Sequence, residues 1–352
     1  LLISIKGGIP NMQTALKMQT ISSPMQYQLF INPQLSVKNI LSGQSSQCIV
    51  TSYWQYIRSH KYNVIKQLLE RWDFDGSIKI IKDYNKILSF LIDKDVLNKN
   101  DIKNNRKVLQ NVQDILNFGL SAFNLDIDNI DNIINNSNLT TEELANFGSF
   151  INQDKYDILL NLYTQCCIYQ EKGEIGNFLA KMGSFYEEVC HNISKNIGAG
   201  DYDYFKKNKI YTREAKRNHV DTKIKDRANN NPHLIKEKEE WKVTQFQLKD
   251  NRKPKGIFGL LDSLEYWCNC RNNLIHGSRG FSQQRIKEFN QDRDENACAF
   301  EEILLVMEMI LNSSLSGLRK EYKQNFVNTK NYYIYSDIKK WVIDILMNDG
   351  LS

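Results

Sequence analysis

The feature that most constrains the fold is a helical periodicity of apolar residues that begins at Tyr53 and continues along most of the chain. Apolar side chains recur every three or four residues in the successive stretches 53–72, 76–97 and 105–125. This spacing places them on one face of an amphipathic helix. The 352 residues include only five prolines, so few positions interrupt such helices. The pattern therefore predicts a mostly helical protein.

The same periodicity continues along the rest of the chain, which also contains a polar stretch at each of two places. It predicts helices over 154–172, 175–196, 257–276, 295–325 and 336–348. The asparagine- and aspartate-rich stretch 126–138 lacks this period and predicts a loop. The second polar stretch, at about 200–256, predicts an insertion between helices.

The first fifty residues carry strand signals instead. The short apolar run LLISIK (1–6) ends at two glycines, which predicts a buried strand of a parallel sheet. Pro10 suits the first turn of a following helix, and two more strand-like runs occupy 27–31 and 48–53. The predicted fold class is therefore mostly α with an N-terminal α/β portion. Because the first residues resemble the middle of a strand, we expect a further segment upstream.

Positive charge is concentrated in one segment of the chain. The formal net charge is +5, yet Lys206–Lys255 alone holds sixteen Lys and Arg against seven Asp and Glu. Such a segment predicts contact with a polyanion, with a solvated insertion as the alternative. Tyrosines and a phenylalanine lie among these cations, and in a ribonuclease such a segment could guide an RNA strand by charge and stacking. The candidate contacts are Lys206, Lys207, Lys209, Arg213, Lys216 and Arg217.

The seven cysteines do not form a disulfide or zinc pattern. Cys166 and Cys167 are adjacent, and Cys268 and Cys270 are separated by one residue. Neither arrangement is the pair with two intervening residues that zinc sites and thioredoxin-like motifs use. No apolar run approaches the ~18 residues that cross a bilayer. We therefore expect reduced cysteines in a cytoplasmic protein without a membrane segment.

The most informative motif is CRNNLIHGSRG (270–280), which ends an amphipathic helix. Arg271 occupies the position of the helix's apolar stripe between Trp267 and Leu274. A buried cation is costly unless it is paired or binds an anion. Arg271 therefore meets a carboxylate, packs at a subunit interface, or binds phosphate. The stripe itself comprises Ile257, Leu260, Leu264, Trp267 and Leu274.

His276 lies five residues after Arg271, so the two side chains are about 140° apart on an ideal helix. Local unwinding or a two-fold related subunit would bring such residues together. A histidine can transfer a proton, an arginine can stabilise extra charge on a phosphate, and Asn272 could hold that phosphate or orient the histidine. These groups would suffice to cleave RNA with its own 2′-hydroxyl. The alternative is a helix-end histidine and a structural ion pair of Arg271.

Two stretches together resemble a known combination of domains. RNNLIHG (271–277) resembles the R-x4-6-H motif of HEPN ribonucleases, in many of which a polar residue follows the arginine. SIKGGIPNMQTAL (4–16) resembles the strand–Gly-Gly–x-Pro–x-Met–helix signature of CARF domains, which bind cyclic oligoadenylates. In this order they resemble the ancillary ribonucleases of type III CRISPR systems, which act in antiviral defence.

The resemblance implies a partial Rossmann-like CARF domain followed by an all-helical HEPN bundle. It implies a CARF-like part at 1–52, a helical connector at 53–139, and a HEPN-like domain at 140–352 that carries the basic insertion. The implied activity is a metal-independent endoribonuclease that cleaves single-stranded RNA at a composite site of a homodimer. Cyclic oligoadenylate is the implied allosteric activator, and neither a cofactor nor a metal is implied.

The resemblance also assigns site residues. The catalytic set is Arg271, Asn272 and His276. The cyclic-nucleotide loop comprises Lys6, Gly7, Gly8, Pro10, Asn11 and Met12. The common Thr-Gly-Gly-Thr-Pro form lacks both threonines here, which puts hydrolysis of the bound ligand in doubt. A non-catalytic nucleotide-sensing scaffold and a HEPN toxin of a toxin–antitoxin pair are the alternatives.

Overall fold

A small mixed sheet opens the chain. Its elements are β1 (Leu2–Ser4), α1 (Pro10–Ile21), β2 (Leu29–Pro33), α2 (Val37–Leu41) and β3 (Cys48–Thr51). β2 is central and pairs with β1 in parallel and with β3 antiparallel. Phe30 of β2 is buried, as its apolar run predicts, whereas β3 is exposed along its length. The three strands lie at the predicted positions, and Pro10 begins a helix as predicted.

The computed structural model describes residues 2–4, 10–21, 27–100, 102–137, 158–196, 200–230, 257–276, 282–313 and 333–351. Most of these residues are helical, which confirms the predicted fold class. Contacts divide the chain into two units, one of Leu1–Ile151 with Asp337–Ser352 and one of Asn152–Ser336. The domain boundaries inferred from the sequence, at 52 and 139, remain predictions.

Four further helices are described in the N-terminal part of the first unit. They are α3 (Trp54–Glu70), α4 (Phe74–Asp93), α5 (Lys103–Phe123) and α6 (Ile127–Asn136). α4 packs against both α3 and α5, and α6 packs against α5. The loop predicted at 126–138 is wrong. Asp126 caps α6 by accepting a hydrogen bond from the Asn129 amide, and Ile130 is buried, so capping and one apolar contact suffice for a helix.

The second unit is a helical bundle around one central helix. Its described helices are α7 (Ile158–Glu171), α8 (Ile175–Asn196), α9 (Tyr202–Lys207), α10 (Arg213–Asn230), α11 (Ile257–His276), α12 (Gln283–Asp292) and α13 (Ile303–Asn312). α8 packs against α7, α10 and α11. Trp267 of α11 is fully buried, and its indole N–H donates to the Cys298 carbonyl at 2.9 Å. The bounds predicted for α8 and α11 are confirmed, but residues 293–299, just before α13, are not helical where a helix from 295 was predicted.

The last helix, α14 (Tyr333–Leu351), brings residues from the end of the sequence into the first unit. The Asp349 carboxylate accepts hydrogen bonds from the Tyr62 hydroxyl and the Asn105 amide, both at 2.6 Å. Arg58 Nη1 lies 3.9 Å from the same oxygen. Burial raises the pKa of Tyr62 and the hydrogen bond to Asp349 raises it further, so the phenol stays protonated as a donor. Asp349 thus joins α14 to α3 and α5.

Candidate functional site

Arg271 continues the buried stripe of α11. Leu260, Leu264 and Trp267 before it are fully buried, and Arg271 itself is half-buried. Its Nε atom is inaccessible to solvent and has no hydrogen-bond partner among the described residues. Within the described part of the chain, no carboxylate forms an ion pair with Arg271. The structural ion pair of the alternative interpretation is therefore absent from these residues.

The Arg271 side chain meets a second arginine beside Gly183 of α8. A Cβ atom at position 183 would lie 3.9 Å from Arg271 Nη1 and 3.8 Å from Arg213 Nη1. Cys268 Sγ would be 4.0 Å away. Two guanidinium groups, one from α10 and one from α11, therefore converge on the same point of α8.

The neighbouring carboxylates bind other cations. Lys216 Nζ lies 3.0 Å from Glu187 Oε2 of α8, and Arg217 Nη2 lies 2.6 Å from Asp262 Oδ1 of α11. Among the described residues, no ion pair includes Arg213. Among the described residues, neither positive charge of the site has a carboxylate in direct contact.

The Cys268 thiol, which lies near the same point of α8, does not supply a negative charge. Burial raises the pKa of the Cys268 thiol to about 12, although Arg213 and Arg271 both act to lower it. The thiol is thus neutral at pH 7. Burial also raises the pKa of Glu265, which the charges of Arg217 and Arg213 partly offset. The thiolate chemistry that a pair of adjacent cations can promote does not arise at Cys268.

Gly183 is a residue that the sequence reasoning missed. A glycine in a helix interior destabilises the helix by about 1 kcal/mol relative to alanine. The three nearest atoms to a Cβ here are at ordinary van der Waals distances, so packing among the described residues does not require glycine. The available signal was a glycine inside the amphipathic stretch 175–196. Such a glycine can mark the close approach of another group to the helix backbone.

The catalytic set proposed from the sequence lies at the end of α11. The helix is continuous through His276, so local unwinding between Arg271 and His276 does not occur. The two positions are therefore about 140° apart around the axis, whereas Asn272 and His276 are four residues apart and share a face. Asn272 is half-buried. The side chain of His276 lies outside the described residues.

The proposed cyclic-nucleotide loop is only partly described. Lys6, Gly7 and Gly8 lie outside the described residues. Pro10, Asn11 and Met12 form the exposed first turn of α1, and the Met12 side chain is 64% exposed. A strand followed by a helix start is the arrangement that the resemblance implies, and its ligand stays a prediction.

The basic candidates separate into two groups. Lys206, Lys207 and Lys209 are exposed on and just after α9, where a polyanion could reach them. Lys216 is buried and Arg217 is half-buried, and the ion pairs described above hold both. The i, i+3, i+4 spacing of Arg213, Lys216 and Arg217 places all three on one face of α10.

His191 of α8 is a further histidine of the second unit, and it lies beside a carboxylate and an aromatic ring. His191 Nδ1 lies 3.7 Å from Glu188 Oε2, and its ring packs against Phe205 with centroids 5.2 Å apart. The described residues contain no group of three or more side chains that could hold a metal ion. They also contain no helix that is long and apolar enough to cross a bilayer.

The fold thus defines a mostly helical protein with a small N-terminal mixed sheet. No protein-family model and no curated protein matches the chain. Among solved structures, the chain is similar to Csm6 of Enterococcus italicus, bound to cyclic hexa-2'-fluoro-hexa-dAMP. The identity is 11% and the TM-score 0.48, over 98% of this chain and 74% of that chain.

Proposed function

We propose that the protein is an endoribonuclease, activated by cyclic oligoadenylate, that cleaves single-stranded RNA without a metal at a composite site of a homodimer. The observation that carries this proposal is the environment of Arg271. Its half-buried guanidinium has no carboxylate partner in the described part of the chain, and its Nε has no acceptor. A cation in such a position is stabilised when an anion arrives, and RNA supplies phosphates.

Helix geometry supports a site shared between two copies. Arg271 faces Gly183 inside the bundle, while the position of His276 lies about 140° away around α11. A two-fold related α11 would provide the complementary group. In the proposed reaction the RNA 2′-hydroxyl loses its proton and attacks the adjacent phosphorus. The bond to the 5′-oxygen breaks, that oxygen takes up a proton, and the products are a cyclic phosphate and a 5′-hydroxyl.

Each residue of the set has a proposed role. His276 transfers the proton, because an imidazole titrates near neutral pH. Arg271 stabilises the charge that builds on the phosphate, and Asn272 orients His276 from one turn earlier. Residues 140–352 would form this ribonuclease domain, and 53–139 would connect it to the CARF-like part at 1–52.

The activator would bind at the N-terminal part. The loop between β1 and α1, with Lys6, Gly7 and Gly8, and the first turn of α1, with Pro10, Asn11 and Met12, are the proposed contacts. Backbone N–H groups at a helix start favour phosphate binding. The biological role proposed for this activity is cytoplasmic antiviral defence.

The direct test is an RNA cleavage assay on the purified protein. A labelled single-stranded RNA is incubated with and without cyclic tetra- or hexa-adenylate, in the presence of EDTA. We expect cleavage only with an activator and no effect of EDTA. Cleavage without any activator would indicate a toxin-like ribonuclease, and activator binding without cleavage would indicate a scaffold.

Exposed lysines near α9 are expected to guide the RNA strand. Replacing Lys206, Lys207 and Lys209 together with alanine should weaken RNA binding. For a single strand, each phosphate contact contributes about 0.7 to the magnitude of the slope of log K, where K is the RNA association constant, against the logarithm of the salt concentration. The magnitude of this slope should therefore fall by about 2. Fluorescence anisotropy over a series of salt concentrations measures this slope.

A matched control removes three exposed lysines of the first unit instead. Lys66, Lys79 and Lys82 lie on α3 and α4 and are exposed. The control variant has the same net charge as the test variant, so it should retain the slope of the wild-type protein. Equal slopes in the two variants would argue that the segment near α9 is only a solvated insertion.

A further inference from the structure

We propose that Arg213 and Arg271 together form a binding site for one phosphate group, with Gly183 as its floor. Arg213 lies outside the R-x4-6-H motif, and it would be a second phosphate-binding residue contributed by the basic segment. The assignment of this phosphate to an RNA backbone rests on the proposed function. The proposal that an anion binds at this site does not rest on the proposed function.

Electrostatics give the first argument. Nη1 atoms of both arginines lie within 4 Å of the point where a Cβ of residue 183 would be. The two Nη1 atoms are therefore less than about 8 Å apart, and like charges at such distances repel each other, especially where solvent is partly excluded. An anion between them would attract both guanidinium groups, and this attraction would outweigh their mutual repulsion. Guanidinium groups bind phosphate oxygens through charge-assisted, often paired, hydrogen bonds.

Arg213 differs from the next two cations of α10, Lys216 and Arg217, which carboxylates bind. Lys216 binds Glu187 on α8, and Arg217 binds Asp262 on α11. These ion pairs follow Arg213 by about one turn and join α10 to both neighbouring helices. They fix the start of α10 where Arg213 reaches Arg271. The ion pairs thus position the site, and within the described ranges neither Arg213 nor Arg271 is itself in an ion pair.

Gly183 provides an independent argument. The nearest described atoms leave room for a Cβ, so steric exclusion by the protein does not explain a glycine within α8. A ligand held by the two arginines would lie against this position, and only glycine leaves the backbone fully accessible there. The protonated Cys268 thiol, 4.0 Å from the same point, adds no negative charge there.

The first experiment places a carboxylate inside the proposed site. In Gly183→Asp, the new carboxylate extends from a Cβ that is 3.8 Å and 3.9 Å from the two Nη1 atoms. Thermal unfolding is measured in chloride and in inorganic phosphate at matched ionic strength. We expect Gly183→Asp to unfold at a higher temperature than Gly183→Asn in chloride, and to lose the phosphate-dependent rise of the wild-type protein. Equal unfolding temperatures for the Asp and Asn variants in chloride would overturn the proposal.

The second experiment removes one arginine at a time. Isothermal titration with inorganic phosphate should show affinity reduced at least about tenfold in Arg213→Ala, because a charge-assisted hydrogen bond is lost. Lys223→Ala is the matched control, since Lys223 is an exposed cation of the same helix. Its phosphate affinity should equal that of the wild-type protein. An unchanged affinity in Arg213→Ala would contradict the site.

A third arm distinguishes an RNA backbone from free phosphate. Binding of a single-stranded DNA oligonucleotide, which lacks the 2′-hydroxyl and is not cleaved by the proposed chemistry, is compared in the same variants. Weaker binding in Arg213→Ala than in Lys223→Ala supports a backbone phosphate, whereas equal binding overturns that assignment. If phosphate binding follows expectation but no activator elicits RNA cleavage, the anion site stands and the ribonuclease proposal fails.

Discussion

Replacing Arg271 with alanine is expected to lower the rate of activator-dependent RNA cleavage by about a hundred- to a thousandfold. Loss of a single group that stabilises transition-state charge has effects of this size. His276→Ala should lower the rate similarly, because general acid–base catalysis contributes about a hundred- to ten-thousandfold. Single-turnover cleavage at saturating activator measures the chemical step. Full activity in the double variant would contradict the proposed function.

The Arg271→Ala variant also tests whether Arg271 has a structural role in addition to a catalytic one. In the described residues Arg271 has no ion pair, so its removal is not expected to destabilise the bundle. Arg271→Ala should therefore unfold at or above the temperature of the wild-type protein. Lys223→Ala, which removes an exposed cation of α10, serves as the charge control for both rate and stability. A marked loss of stability in Arg271→Ala would indicate a structural role instead.

Replacing Asp349 with alanine is expected to destabilise the first unit by about 3 kcal/mol. The variant removes the acceptor of the Tyr62 and Asn105 hydrogen bonds and the carboxylate beside the buried Arg58. Loss of one partner from a buried ion pair typically has an effect of about this magnitude. Equilibrium unfolding in denaturant, with a probe in the first unit, measures the change.

Asp344 provides the control for that measurement. It lies on the same helix, α14, but is exposed. Asp344→Ala removes an equal charge and should change the free energy of unfolding by no more than about 0.5 kcal/mol. Asp349→Asn, which keeps one oxygen acceptor, should be intermediate. If the two alanine variants are equally stable, the hydrogen bonds to Asp349 contribute little.

The elements with a strong apolar period could be predicted from the sequence. α8 and α11 have the predicted bounds, because each buries one continuous stripe in the bundle. α6 could not be predicted from periodicity, since its ten residues are mostly Asn, Asp and Ile and its start depends on the Asp126 cap. A short helix with one buried contact leaves little signal in hydropathy.

The site was predicted only in part, for a physical reason. Arg271 stood out because it interrupts an apolar stripe, which is a local property of one helix. Its proximity to Arg213 and Gly183 depends on how α8, α10 and α11 pack, and sequence spacing carries no information about that. The basic segment indicated a polyanion, but it could not show that Lys216 and Arg217 would bind carboxylates while Arg213 would not.

The position of Asp349 makes the stability of the first unit depend on residues that the second unit does not contain. Residues 152–336, which form the second unit, all precede Asp349 in the chain. A chain that ends at residue 336 therefore contains the whole second unit, whereas its first unit lacks most of α14 and the buried acceptor for Tyr62. A variant truncated after residue 336 should accordingly protect the second unit from proteolysis while the first unit stays sensitive.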